Sequence, residues 1–567
     1  MTSAEDLTAA SGWRQIVGDL RTSGKALAAT FRSRQLGPMQ LAFTAFNFAE
    51  WGGFVALFVF AYQLGGTAAV GLAALAQQIP AALIAPFGSS LGDRFDRRRV
   101  LIAVMFALTV ATVAAGATML AHAPTWISFL LACSAGWILT LVRPTYKALL
   151  PWVVSSPQEL TVTYAASGLI VSISTFMGPL LVGVAITVAG VNGVSGPGLA
   201  YVALGVLLLL GTISAALTRE TNQRSDHEVS ERFHRGDLMA GFGYVFRDER
   251  RRVLVWLVGS SMLLLGMIDA VVVVLAIDVL GTGEGGVGFL NAAVGVGAVV
   301  GAMVAMVAGQ RARLFPSFRA GLLAAGVPLA VTAAVPALAA PLLAVSGSGM
   351  ILLDVTGTTM LQRIVPDDKL SRVFGVLESL YVGMEGIGAF VASLLLAWVG
   401  PEWTLVVASI YLPASGFVVR HKLSSLDVGI RVPTEEMARL RATDLFAPLP
   451  PQALERVARD LVPMDAPAGA VVIREGDPGS RFYVLTAGRA VVTRGDVHVA
   501  ELGPGNYFGE VALLLDQPRN ATVTAATDLR VLILERDEFL RVLTGHEGVG
   551  MRARQVAEER ATTDRTD

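Results

Sequence analysis

From position 40 to position 419 the chain is a succession of apolar runs parted by short polar breaks. Each run is near the ~20 residues that a helix needs to cross a bilayer. They fall at 38–62, 66–91, 98–120, 125–148, 159–188, 198–217, 253–280, 285–309, 317–336, 338–364, 371–399 and 402–420, and predict twelve spanning helices. The pattern changes at both ends. Within 1–37, Trp13, Ile16, Val17, Leu20, Leu27 and Phe31 follow helical spacing among Arg14, Arg21, Lys25 and Arg32. That suits a helix lying in the headgroup plane, or one packed on the protein's own face. After Arg420 the hydrophobicity falls sharply. The stretch 421–443 reads as a connector with a helix from Pro433 capped by Thr434, and 450–461 reads as another helix. Short β-rich runs at 471–473, 482–485, 490–493 and 497–502, broken by Gly and Asp, predict an antiparallel roll. Strands near 521–525 and 531–535 and a helix from Asp537 complete it, with 551–559 as a candidate lid.

Charge gives the runs a direction. Arg94, Arg97, Arg98 and Arg99 follow the second run, and Arg311, Arg313 and Arg319 follow the eighth. Arg363, Lys369 and Arg372 precede or open the eleventh, and Arg420 and Lys422 close the twelfth. The alternate connections, 63–67, 121–125, 190–198 and 281–286, hold no Lys or Arg. The positive-inside rule then puts both termini in the cytoplasm and the chain in the plasma (inner) membrane. A charged loop at 218–252 splits the spans six and six. A hydrophobic share of 53%, a charged share of 16% and a mean hydropathy of +0.60 exclude an ordinary soluble chain. The net charge of −1 carries no nucleic-acid signature, and no cleavable signal peptide is expected. The lone Cys133 reads as a small buried hydrophobe, so neither a disulfide framework nor a metal site is expected. No catalytic constellation is visible, so an enzyme is not expected.

Candidate chemistry is densest at Phe508-Gly-Glu-Val-Ala-Leu and the following Pro518-Arg-Asn-Ala-Thr-Val. Gly509 frees the backbone, and Glu510 to Leu514 read as one short helical turn whose first N–H groups suit an anion. Arg519 adds a planar fork of donors that fits phosphate. An acid beside a phosphate is otherwise unfavourable, so a ribose phosphate, with Glu510 accepting from a sugar hydroxyl, explains the pair better. The segment resembles the phosphate-binding cassette of cyclic-nucleotide-binding domains over roughly 444–546. The resemblance implies Glu510 on the ribose 2′-hydroxyl and Arg519 on the cyclic phosphate. It also implies a cradle of Phe508, Gly509, Glu510, Val511, Ala512, Ala521 and Thr522. Asn520 stands where that family more often has Ala, Thr or Ser, near the base edge. The choice between cAMP, which is favoured, and cGMP stays open there. No DNA-reading segment follows the roll, which removes a transcription factor and any nucleic-acid partner.

The loop Ser89-Ser-Leu-Gly-Asp-Arg-Phe-Asp-Arg-Arg resembles the signature G-x-L-x-D-R-x-G-R-R of the major facilitator superfamily. Leu91, Asp93, Arg94, Arg97 and Arg98 match, while Ser89 and Asp96 replace the two glycines. The resemblance implies a cytoplasmic latch built from Asp93, Arg94, Arg97 and Arg98, with Arg143 nearby, and two six-helix halves with a site between them at midplane. The corresponding loop of the second half, Gly309-Gln-Arg-Ala-Arg, has no acid. The stretch from Leu361 to Phe374 is similar to drug- and siderophore-exporter branches of that family.

Ionisable residues inside spans are functional hypotheses by default. Here they are Glu50, Asp269, Asp354, Glu378 and Glu385. Aligning Tyr62-Gln-Leu-Gly with Asp278-Val-Leu-Gly sets Asp269 about one turn from the level of Glu50. No Lys or Arg is expected at comparable depth, which predicts an acidic, aromatic cavity containing Trp51 and Tyr381. Two duller readings remain: Glu378 pairing with Arg143 or a loop arginine, and Asp354 bonding to Thr356 and Thr358. Gly-rich 285–301 reads as close helix packing.

The expected fold is thus an α-helical membrane protein of twelve spans with a small α+β cytoplasmic domain built on an antiparallel β-roll. Its parts are 1–37 amphipathic, 38–217 first half, 218–252 loop, 253–420 second half, 421–443 connector and 444–567 nucleotide domain. The expected activity is proton-coupled export of amphipathic or cationic small molecules, with a cyclic nucleotide as allosteric ligand and no prosthetic group. Expected partners are the lipid bilayer, the nucleotide and the substrate, as monomer or homodimer. Three alternatives stand: a lipid or lysolipid as cargo, the nucleotide itself as cargo, and a membrane sensor that transports nothing.

Overall fold

The structure, a computed structural model, describes residues 30–84, 96–154, 157–218, 242–309, 314–365, 367–418 and 434–544, save 444, 448, 450 and 496. The expected amphipathic helix before position 30, the lid at 551–559 and most of the central loop and connector lie outside the described residues. The chain divides into two compact units, Met1–Ile430 and Arg431–Asp567.

The first unit is helical. Among the described residues, ten helices are long and apolar enough to cross a membrane by length and composition. The helices of this unit begin with α1 (Leu36–Ile84), α2 (Arg97–Leu120), α3 (Thr125–Leu139) and α4 (Val142–Val153), the last two sharing one of the ten stretches, Thr125–Leu150, followed by α5 (Pro157–Val191) and α6 (Gly196–Leu217). Then come α7 (Glu249–Val274), α8 (Glu284–Gly309), α9 (Phe315–Ala334), α10 (Ala339–Ile364) and α11 (Asp367–Val418). Helices α1 and α11 run 49 and 52 residues. At ~1.5 Å per residue each exceeds twice a ~30 Å hydrocarbon core. Each is also interrupted by a kink at glycine: α1 at Gly65 and Gly66 (φ +60, ψ −148), α11 at Gly400 (φ +79, ψ 176) just before Pro401. Only a residue without Cβ adopts those left-handed angles at no steric cost.

The run expected at 125–148 is one stretch of spanning length, Thr125–Leu150, but within it the helix is interrupted between α3 and α4 at Thr140 and Leu141. Pro144 lacks the N–H that would bond the Thr140 carbonyl, and its ring crowds that carbonyl. Helix α7 ends in a π-helical turn, Leu275–Val279, before Gly281 and Gly283, both at positive φ.

Lipid offers no hydrophobic drive between helices, so small residues and close backbone approach must hold them. A Cβ on Gly288 would lie 2.5 Å from the Gly183 Cα, and one on Gly295 would lie 2.5 Å from the Thr175 oxygen, which joins α8 to α5. On Gly297 it would come 1.8 Å from the Ala344 oxygen of α10. The Gly-rich stretch of α8 is therefore a packing seam on both sides. Gly266 of α7 carries the Glu385 carbonyl of α11 at 1.9 Å from where its Cβ would be.

The second unit opens with α12 (Thr434–Arg441) and α13 (Pro451–Asp460). Eight strands follow: β1 (Val462–Ala466), β2 (Val471–Ile473), β3 (Arg481–Ala487), β4 (Ala490–Arg494), β5 (Val497–Leu502), β6 (Tyr507–Phe508), β7 (Thr522–Ala525) and β8 (Leu529–Glu535). They form two antiparallel four-stranded sheets, ordered β1-β8-β3-β6 and β2-β7-β4-β5. The turn α14 (Glu510–Leu514) joins β6 to β7, and α15 (Arg536–Thr544) follows β8. Strand β1 reads Val-Pro-Met-Asp-Ala and gives no alternating signal; as an edge strand it tolerates Pro463. Its Asp465 sits opposite Arg530 of β8 and pairs with it at 2.7 Å. Phe482 and Phe539 stack at 4.7 Å and Phe446 meets Phe482 edge-on at 5.6 Å, so the helices and the β3 sheet share one core.

The seam at Gly266 is testable. Gly266→Val should lower the melting temperature of the purified protein or scatter its size-exclusion peak, since overpacking costs about 1–3 kcal/mol or more. Gly259→Ala on the same helix, where the nearest atom is 3.8 Å away, should change neither.

Candidate functional site

The second unit builds an anion cradle from three adjoining pieces. Gly509 takes φ +90 and ψ 0 at the start of α14. A Cβ there would sit 2.8 Å from the Arg519 Nη1 and 3.0 Å from the Arg481 oxygen, so glycine is required by space as well as by angle. Phe508 stacks on Tyr483 at 5.0 Å with planes 6° apart, which fixes the approach to the turn. Val511 and Ala512 are buried, and Ala512 packs on the Gly479 backbone. Glu510 is 2% exposed and Arg519 6% exposed, an unusual depth for two charged groups.

Arg519 is held on every side. Its Nη1 donates to the Gly509 oxygen at 2.8 Å and its Nη2 to the Arg481 oxygen at 2.7 Å. Its main-chain N–H donates to Asp477 O and its carbonyl accepts from Gly476 N–H, each at 2.9 Å. Burial lowers its pKa from the ordinary guanidinium value, while Tyr483, Glu510 and Asp477 act the other way. The guanidinium remains a fixed positive charge on the turn that begins at Gly509. Asn520 is exposed, and its carbonyl accepts from Arg494 Nε at 3.0 Å. Ala521 is half-buried, and Thr522 Oγ1 accepts from Glu475 N–H at 3.1 Å. The nine residues read from the sequence thus fall on the end of β6, the turn α14 and the loop that leads into β7 at Thr522. Beyond that motif Asp516, at φ +51 and two residues past the end of α14, pairs with Arg536 at the start of α15.

In the first unit the carboxyls divide into two kinds. Glu50 of α1 is ion-paired with Arg143, which also lies 5.8 Å over the Phe46 ring. The expectation that no base reaches the level of these carboxyls is corrected by that pair. The break at Thr140 restarts the helix at Val142, so Arg143 reaches α1. Asp354 accepts the Tyr381 hydroxyl proton; the Thr358 hydroxyl bonds the Asp354 main-chain oxygen at 2.7 Å and not its carboxyl. Glu378 is exposed at its position on α11.

Asp269 and Glu385 form the second kind. They line one cavity of about 330 Å³ with Trp51, Phe54, Phe58 and Met262, and no Lys or Arg lines it. Tyr381 is not part of that lining. Asn291 is, a polar residue overlooked within an apolar run and nine-tenths buried. Glu385 borders a smaller pocket of about 100 Å³ as well, which it shares with Glu50. The sequence alignment of Tyr62 with Asp278 had a further meaning. The Tyr62 hydroxyl donates to the Asp278 carboxylate, and Gln63 Nε2 donates to Glu284 at 2.6 Å, tying the middle of α1 to the turn between α7 and α8.

Of the expected latch, Asp93 and Arg94 lie outside the described residues. Arg97 opens α2, Asp96 caps it through the Arg99 N–H, and Arg98 Nη2 donates to the Ala216 oxygen at 2.6 Å.

Comparison with known proteins gives two matches along the chain. The model of the Major Facilitator Superfamily matches residues 41–381, and that of the cyclic nucleotide-binding domain matches residues 463–546. A cyclic nucleotide-gated potassium channel of Rhizobium etli is 40% identical over 119 residues, covering 21% of this chain and 33% of its own. The cAMP-dependent protein kinase regulatory subunit of Aspergillus niger is 41% identical over 118 residues, 20% of this chain and 29% of its own. That of Dictyostelium discoideum is 44% identical over 98 residues, 16% of this chain and 30% of its own. The chain spans about a third of the length of these curated relatives.

The Glu50–Arg143 pair predicts an asymmetry. Glu50→Leu alone leaves Arg143 uncompensated and should destabilise by up to roughly 3–5 kcal/mol, while Glu50→Leu with Arg143→Leu should cost much less. Thermal unfolding of the three proteins in one detergent checks it.

Proposed function

This chain belongs to the Major Facilitator Superfamily, and we propose that it works as a proton-coupled exporter of amphipathic or cationic small molecules under the control of cAMP. In this reading α1 and α11 each supply two spans, which with eight other crossings makes twelve in two six-helix halves. Both termini face the cytoplasm, where cyclic nucleotides are made. The domain boundaries follow the breaks at 218–252 and 421–443.

One observation carries the transport half: Asp269 and Glu385 share a cavity of about 330 Å³ whose other walls are mainly aromatic and aliphatic, with no base among them. Carboxyls so placed favour a bound proton or an organic cation over an anion, since burial raises the cost of an uncompensated negative charge. The same arrangement argues against the nucleotide as cargo. A proton and a cationic substrate competing for one acidic cavity is the simplest basis for exchange.

The regulatory half rests on the cradle around Arg519. The kinase relatives are cAMP-dependent by name, and we carry that ligand to this chain with Arg519 on the cyclic phosphate, Glu510 on the ribose and Asn520 near the base. The nucleotide can shift the inward/outward balance only by binding the two states unequally.

In proteoliposomes, an imposed pH gradient should drive tetraphenylphosphonium or ethidium movement, and Asp269→Asn should reduce it at least tenfold. No movement of either cation or of a lysolipid by the wild-type protein would sink the transporter reading and leave a sensor. Calorimetry on the full chain should show cAMP binding that Arg519→Ala weakens roughly 10- to 100-fold, the loss expected for charge-assisted hydrogen bonds worth ~1.5–3 kcal/mol. Equal binding in the mutant would remove Arg519 from the site.

A further inference from the structure

A cavity of about 690 Å³, against about 330 Å³ for the one that holds Asp269, has no part in the reading above. It lies where the α2–α3, α5–α6 and α7–α8 turns meet Phe60 and Gln63 of α1, just before the kink of that helix. These turns are connections that carry no Lys or Arg, so the cavity sits on the face opposite the arginine clusters. Its size suits a drug-sized organic molecule.

The wall carries three features that such a molecule would meet. Glu284 is the one carboxylate among the lining residues, and no Lys or Arg is among them. Its Oε1 accepts from Gln63 Nε2 at 2.6 Å, while Oε2 makes no hydrogen bond with the described residues. Ser128 also lines the cavity at 1% exposure, and its hydroxyl makes no hydrogen bond with the described residues. A polar group that deep costs about 1–3 kcal/mol when nothing pairs with it. His122 follows α2 at φ +51, in the place where a helix most often ends in glycine. Gly193 and Gly283, on the same wall, take positive φ without steric cost. A histidine held so costs roughly 1–2 kcal/mol, and what it adds is an imidazole on the cavity wall.

That ring and the ring of Phe60 offer two aromatic faces, and Met119 and Ile186 add apolar wall. One carboxylate with a free oxygen, aromatic faces and no ammonium or guanidinium group suit an organic cation with an apolar body. An anion would meet Glu284 unopposed. We propose that this cavity is a second binding site of the helical unit, taking one organic monocation of amine or phosphonium type against Glu284. Its use as the station from which cargo leaves rests on the exporter reading above; the binding itself does not.

The chain's single cysteine, Cys133, is buried, so a thiol placed in the cavity can be followed alone. Val194→Cys, at an exposed lining position, should react with a maleimide in the purified full chain, and saturating tetraphenylphosphonium should slow that reaction several-fold. Tetraphenylborate, of the same shape and opposite charge, should not slow it. Adding Glu284→Gln should raise the half-protecting concentration roughly tenfold. His122→Gly, which suits the backbone angle and so keeps the fold, should raise it several-fold, and Asp269→Asn should leave it unchanged. If Val194→Cys does not fold or react, Thr125→Cys provides the thiol at another exposed lining position. The proposal is overturned by no protection, by equal protection from the two ions, or by protection that Glu284→Gln leaves intact. Protection without cation movement in proteoliposomes would keep the cavity and discard the exporter; movement without protection would do the reverse.

Discussion

A helix in hydrocarbon gains nothing by exchanging lipid for a leucine neighbour, so close backbone contact must do the work that hydrophobic burial does in water. Everything in the first unit depends on that constraint. Gly288 against Gly183, Gly297 against Ala344 and Gly266 against the Glu385 carbonyl bring helices to distances at which no other residue fits. The Gly266 contact also sets where the Glu385 side chain begins, beside the α7 turn that carries Asp269. Packing and chemistry are thus fixed by the same approach of two helices.

Such close packing makes polar groups expensive, and the chain meets the cost in two ways. Glu50 with Arg143, and Asp354 with Tyr381, are satisfied within the protein. Asp269 and Glu385 instead open onto space. The division separates carboxyls that hold the bundle together from carboxyls that can exchange a partner during a cycle. The second unit applies the same logic to a cation: Arg519 is buried, fixed by main-chain oxygens, and anchored to the turn that begins at Gly509.

The membrane character of the chain, its roll and the turn at Glu510 were legible because each rests on local pattern: apolar length, alternation, and a glycine beside an acid. The strands 471–473 and 497–502 fall where alternation puts them, with the turn at 510–514. Strand β1 was not legible, since an edge strand containing proline has no pattern to read. Nor was the Glu50–Arg143 pair. It depends on a helix break that Pro144 imposes four residues after Thr140, whereas run length suggested an unbroken helix. Ser128 was passed over because a single serine in an apolar run carries no motif; only its surroundings show that its hydroxyl lacks a partner among the described residues. The Tyr62–Asp278 bond shows the reverse case, a repeat visible in sequence whose meaning came from the contact.

The central claim is that one chain couples nucleotide binding to transport, and coupling between two sites must be reciprocal. The most direct measurement is the dissociation constant of cAMP for the full chain, with and without saturating tetraphenylphosphonium. The account predicts that the two values differ, by roughly 5- to 150-fold for a coupling of ~1–3 kcal/mol. Identical values, with both ligands shown to bind, would contradict it and leave two independent functions on one polypeptide.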